Sequence, residues 1–218
     1  MEKSRAEKIL QILRENFEMP TWITSERNPF QTLIVTIISQ NTNDRNTARA
    51  FENLSKRFEM TPEALANAKT GEIEQCLKVA GLYRNKAKTI KQVSTIILEK
   101  FGGTLTSILS LPLEEARSTL LLLPGVGPKT ADVVLLFCSG KPTIPVDTHV
   151  NRVSKRLGLA PQNGDYETVR RALQLLYARK GYLAVHVLLI QLGRKFCRAL
   201  NPLCGFCPVN ELCPSRRL

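Results

Sequence analysis

The chain reads as an all-α protein, and three observations carry that expectation. Apolar residues recur with helical period in almost every segment, no stretch carries a hairpin signal, and the connections are short. Ile9, Leu10 and Leu13 share one face of a first helix, and Leu33, Ile34, Ile37 and Ile38 form the apolar stripe of a second. Thr61, Pro62 and Glu63 supply an N-cap, a proline at the first helical position and a first-turn acid. The run they open carries apolar residues to Leu77, with a break expected at Gly71. Over residues 86–100, Ala87, Ile90, Val93 and Ile97 recur every three or four positions, which places Lys86, Lys88 and Lys91 elsewhere on that helix surface. Candidate domain edges fall at residues 19–28 and 139–145.

With 218 residues the chain can build one large core or two small ones. Lysine and arginine outnumber aspartate and glutamate by 31 to 19, a net charge of +12 that points to a polyanionic partner, nucleic acid ahead of an anionic membrane surface. No window approaches the roughly 18 continuous apolar residues of a membrane span. The N-terminal stretch is too charged for a secretory signal. The expectation is a soluble intracellular protein, cytoplasmic or nucleoid-associated, monomeric and without membrane contact. Four of the six cysteines crowd between Cys197 and Cys213, so metal binding is a better default than disulfides.

The segment LLLLPGVGPKTADVVL, residues 120–135, is two helices joined by a tight turn. Glycines at 125 and 127 permit left-handed backbone and leave nothing between the amides and an approaching group, and amides at a helix start attract anions. A nucleic-acid phosphate is the natural guest, although a purely structural helical hairpin accounts for the glycines as well. A nucleotide P-loop would need glycine directly before the lysine and a Rossmann loop a third glycine, where Pro128 and Thr130 stand. Lys129 lies in the first helical turn, where the macrodipole disfavours an ammonium. That field, with desolvation, favours a neutral amine able to attack an electrophilic carbon. A phosphate contact and a plain solvated lysine are the other readings.

In IPVDTHVNRVSKRLG, residues 144–158, an extended piece ends at Pro145 and a helix runs to Gly158. Asp147 is placed to cap that helix, with Thr148 and His149 opening it. A carboxylate at a helix N-terminus also suits a group that stabilises a cationic intermediate or accepts a proton. Cys197, Cys204, Cys207 and Cys213 have the spacing C-x6-C-x2-C-x5-C, with prolines after the third and fourth. Four thiolates at compact irregular spacing favour a 4Fe-4S cluster over the zinc alternative. Cys76 and Cys138 read as buried small hydrophobes, and His186 as a satisfied core residue.

Taken together, LPGVGPKTADVV, VDTHVNRV and the cysteine tail resemble, in order and over nearly the full chain, the endonuclease III family of helix-hairpin-helix DNA glycosylases. The resemblance implies a base-excision enzyme that removes oxidised pyrimidines, of the thymine glycol type, from duplex DNA and then cleaves the abasic site. By the same likeness Lys129 is the Schiff-base nucleophile and Asp147 the catalytic aspartate. Gly125, Val126 and Gly127 form the phosphate-holding hairpin, and His149 belongs to the DNA-contacting set. ISQNTND (residues 38–44) and GLYRNKA (residues 81–87) match the loops that wedge the duplex when the target base leaves the stack. Leu82 matches the apolar wedge. Where many family members carry glutamine this chain has Asn41, preceded by Gln40, and both belong to the implied DNA-contacting set, either one being the second wedge. Between the first two cysteines only Arg198 is charged, in an interval that is often basic in the family.

The architecture implied is two helical lobes with DNA lying in a cleft between them. One is a central domain of residues 22–141 containing the hairpin. The other is a discontinuous iron-sulfur domain of residues 1–21 and 142–218. Alternatives on the same fold are a monofunctional mismatch or uracil-type glycosylase and a non-catalytic iron-sulfur DNA-binding module. The lysine speaks against the first.

Overall fold

The computed structural model describes residues 2–21 and 27–217, so part of the first expected domain edge, residues 22–26, lies outside the described residues. Among these residues twelve α-helices and short 3-10 turns make up the regular structure, with no strand. The chain divides into two compact units: residues 26–140, and residues 1–25 together with 141–218.

The continuous unit holds α2 (Pro29–Ile38), α3 (Asp44–Arg57), α4 (Pro62–Asn67), α5 (Thr70–Leu77), α6 (Tyr83–Phe101), α7 (Thr106–Ser110), α8 (Leu113–Leu121) and α9 (Pro128–Ser139). Side-chain caps start three of them. Asn28 accepts from the Gln31 amide, Asn43 from that of Asn46, and Thr61 from that of Ala64, with prolines at the first turns of α2 and α4. The apolar stripe of α2, Leu33, Ile34, Ile37 and Ile38, is fully buried in one core with Ala87, Ile90, Val93 and Ile97 of α6 and Ala131, Val134 and Leu135 of α9. Burying such a leucine or isoleucine contributes about 1.5–3 kcal/mol.

Three local expectations are corrected here. The break before α5 falls at Ala68 and Lys69, and Gly71 lies inside the helix. Lys86 does not ride the surface of α6: it is 5% exposed, and its amine donates to the Ala80 carbonyl (2.8 Å) and the Thr42 hydroxyl (3.0 Å). Cys76 and Cys138 are only half-buried, packed at the edge of the core.

The discontinuous unit holds α1 (Glu2–Asn16), α10 (Thr148–Arg156), α11 (Tyr166–Leu176), α12 (Tyr182–Lys195) and the cysteine tail. Ile9 and Leu13 of α1 enter a core with Val150, Val153, Leu188 and Leu192. Arg5 fastens α1 to the end of α10 and to the tail, donating to the carbonyls of Leu157 (2.8 Å) and Leu212 (3.0 Å). No helix among the described residues is long and apolar enough to cross a membrane.

Candidate functional site

In the continuous unit, α8 and α9 are joined by the hairpin at residues 122–127. Gly125 has φ +73°, and a methyl group there would run into the Thr89 side chain, so glycine is required both by conformation and by space. Gly127 caps α9 without a side chain, with no acid in the first turn, and a methyl group on it would meet nothing within 4 Å. Both glycines are exposed. Val126 behaves differently: its side chain is buried and its amide donates to the Leu123 carbonyl at 3.1 Å, so it pins the turn to the core. Such a helix start, glycine-lined and free of acids, offers its first amides to an anion.

Residues Thr130 to Leu136 of α9 are all buried, and Lys129 stands half-buried where the helix emerges. One turn further in, the fully buried Asp132 carboxylate accepts from Arg117 of α8, Nε to Oδ1 at 3.0 Å and Nη2 to Oδ2 at 3.4 Å. This two-pronged pair fixes α8 against α9 and so sets the hairpin from beneath.

Two further turns belong to the same unit. Asn41, at the α2–α3 turn, is exposed with φ +53°, while the neighbouring Gln40 side chain donates to the Gly125 carbonyl at 2.9 Å. Gln40 thus braces this turn against the hairpin, and Asn41 is left at the tip. At the α5–α6 turn, Leu82 is left-handed with φ +46° and 59% exposed, an uncommon state for a large apolar side chain.

In the other unit, Asp147 caps α10, its carboxylate accepting from the Val150 amide at 2.7 Å. The extended residues before it are held from two sides: His186 Nδ1 donates to the Pro145 carbonyl (2.8 Å), and the Tyr166 hydroxyl accepts from the Val146 amide (3.3 Å). His186 is the satisfied core residue expected, and it also supports the approach to Asp147. His149 is half-buried, within 3.1 Å of Arg152 Nη2 through its Nδ1, and lies so close to Gly193 that a methyl group there would come within 3.0 Å of it.

Cys197, Cys204, Cys207 and Cys213 line one cavity of about 160 Å³ with Arg156, Leu192 and Phe196. Burial pushes the Cys207 and Cys213 thiols above their ordinary range, and the neighbouring thiols add to the effect. No three or more potential ligands among the described residues are gathered around a single metal ion. Two arginines that sequence reasoning passed over organise this corner. Arg152 Nε donates to the Cys197 carbonyl (3.0 Å), and Arg156 holds the carbonyls of Arg198 (2.6 Å) and Ala199 (3.0 Å) and reaches Cys197 Sγ at 3.5 Å. The single basic residue of that interval, Arg198, is exposed.

Residues 34–179 match the family described as HhH-GPD superfamily base excision DNA repair protein. Endonuclease III of Thermotoga maritima is 39% identical over 188 residues, 86% of this chain and 84% of that protein. Endonuclease III of Escherichia coli is 35% identical over 213 residues, 98% of this chain and 96% of that one. The fold is similar to a solved structure of a trapped endonuclease III–DNA covalent intermediate, with a TM-score of 0.86 and 32% identity over 98% of this chain and 96% of the other.

Proposed function

Because the chain belongs to the endonuclease III family within the HhH-GPD superfamily of base excision DNA repair proteins, it is a DNA glycosylase and abasic-site lyase, and we propose that oxidised pyrimidines of the thymine glycol type are its substrates. The observation that carries the residue assignment is a lysine in the first turn of α9, directly behind an exposed, acid-free glycine hairpin. A structural hairpin gains nothing from a cation there. A nucleophile that must meet a phosphate-bound sugar does.

In this proposal Gly125 and Gly127 present backbone amides to a DNA phosphate, and Val126 holds their turn in place. Asn41 and Leu82 fill the gap left when the damaged nucleotide is extruded. The Lys129 amine forms a bond to C1′ while the C1′–N bond breaks, its electron pair leaving with the base, which gains a proton. The ring opens to a Schiff base. Loss of a C2′ proton then expels the 3′-phosphate, and water releases the lysine. Asp147, its carboxylate fixed by the cap, is the ionised group that assists departure of the base and activation of the nucleophile. His149, wedged between Arg152 and Gly193, keeps the start of α10 in place next to the DNA.

The four tail cysteines fit a 4Fe-4S cluster. They form an all-thiolate donor set around one cavity, and a cluster core fills space that a lone zinc ion, at about 2.3 Å from each sulfur, would have to close. When bound, the cluster supplies four thiolate bonds that cross-link the tail; the excision steps belong to side chains elsewhere. Holoprotein is expected to be brown, with absorbance near about 400 nm and about four irons per chain, and Cys204→Ser to lose both. Colourless protein carrying stoichiometric zinc would refute the cluster.

Borohydride trapping on duplexes containing thymine glycol, an abasic site or intact thymine tests the activity. Adducts on the first two alone are expected. An adduct on the abasic site alone would retain the lyase and remove the base assignment, and none at all would overturn the nucleophile.

A further inference from the structure

The two turns that carry Asn41 and Leu82 lie 41 residues apart in sequence, and one buried cation joins them. The Lys86 amine donates at once to the Thr42 hydroxyl, one residue past Asn41, and to the Ala80 carbonyl, two residues before Leu82. The Thr42 hydroxyl itself also donates to that carbonyl, closing a three-membered network.

Nothing local favours a lysine here. Lys86 is the fourth residue of α6, close to the positive end of the helix, and the first turn holds no acid. Burial pulls the amine below the ordinary lysine range, and its two acceptors are a hydroxyl and a carbonyl, neither carrying charge. A methionine would fill the same space without desolvating a cation. What methionine could not supply is the pair of hydrogen bonds between the turns. Those turns need outside support, because Asn41 and Leu82 both hold left-handed backbone, which costs on the order of 1 kcal/mol or more per residue unless the surroundings impose it.

We propose that Lys86 is a positioning residue that ties the residue 39–43 turn to the residue 80–82 turn, so that Asn41 and Leu82 enter the duplex as a single two-pronged wedge. The inference rests on the functional reading above, in which these two side chains replace an extruded nucleotide. It assigns the lysine no contact with DNA and no part in the chemistry. Its effect is to pre-pay the ordering of two loops, so that binding energy goes into opening the base stack.

The test compares wild type, Lys86→Met, Thr42→Val, Leu82→Ala and the pairs that combine Leu82→Ala with each of the first two. Affinity is measured by fluorescence anisotropy on intact duplex and on duplex carrying a tetrahydrofuran abasic analogue, and unstacking by 2-aminopurine fluorescence beside the analogue. Lys86→Met is expected to reduce the preference for the analogue about tenfold, with intact-duplex affinity within about twofold and the 2-aminopurine signal lowered. Leu82→Ala is expected to cost much less in the Lys86→Met background than in wild type. A lysine that merely supports the core would lower thermal stability but leave the two substitutions additive and unstacking unchanged; that result overturns the proposal. Should Lys86→Met fail to fold, Thr42→Val decides alone, since it removes one of the lysine's two bonds at a half-buried turn. Wild type without any preference for the analogue would count against the functional reading itself. Preference in wild type that both variants keep would count against Lys86 only.

Discussion

Replacing Lys129 with glutamine is expected to abolish borohydride trapping and to lower abasic-site cleavage on the order of 10³-fold or more. Glutamine retains the length and polarity of the side chain but its amide nitrogen cannot form an imine. The substitution also separates chemistry from folding. Lys129 is half-buried at the positive end of α9, and the variant's melting temperature, measured beside the trapping, reports whether the fold is kept. Trapping that persists undiminished in a folded variant would require another nucleophile.

The largest effect on stability is expected at Asp132. Its carboxylate is fully buried and accepts two bonds from Arg117, whose side chain is 10% exposed. Asp132→Ala leaves a guanidinium in the core without that carboxylate and should cost about 3–5 kcal/mol in urea unfolding. The double replacement Arg117→Met with Asp132→Leu should recover most of that loss, because apolar residues of similar volume replace a buried pair at little net cost. It should nonetheless loosen the hairpin and weaken the affinity for abasic duplex. A single-variant loss under about 1 kcal/mol would mean that the guanidinium finds water or another acceptor.

Much of this architecture can be read from periodicity and capping. The stripe of α2 and the face of α6 set by Ala87, Ile90, Val93 and Ile97 are buried as their spacing requires, and Asp147 caps α10 as the sequence VDTHV implies. The long-range hydrogen bonds are what periodicity leaves out. Lys86 looks like a surface residue because its acceptor Thr42 is 44 positions away, and nothing in the sequence links Gln40 to the Gly125 carbonyl it holds 85 positions away. Residue period reports which face is apolar and says nothing about distant backbone acceptors. Gly71 misled for a different reason: glycine lowers helix propensity, yet in the first turn of α5 it costs little beside the apolar burial of Ile73 and Leu77. Arg152 and Arg156 carry the charge pattern of an ordinary helix end, and only the fold reveals that they hold the carbonyls around Cys197.

The hold of Arg5 on the Leu157 and Leu212 carbonyls has a bearing on biosynthesis. Residues 26–140 leave the ribosome in one uninterrupted run and can collapse as soon as they emerge. Helix α1, made before that unit, finds its partners only among residues made after it. At about 5–20 residues per second, the interval from the end of α1 to Leu212 is roughly 10–40 s. For most of that time Ala6, Ile9 and Leu13 present an apolar strip on a nascent chain whose core partners, Val150 to Leu192, are still to be made. Translation speed, and any chaperone waiting at the exit tunnel, therefore acts on this protein through its first helix.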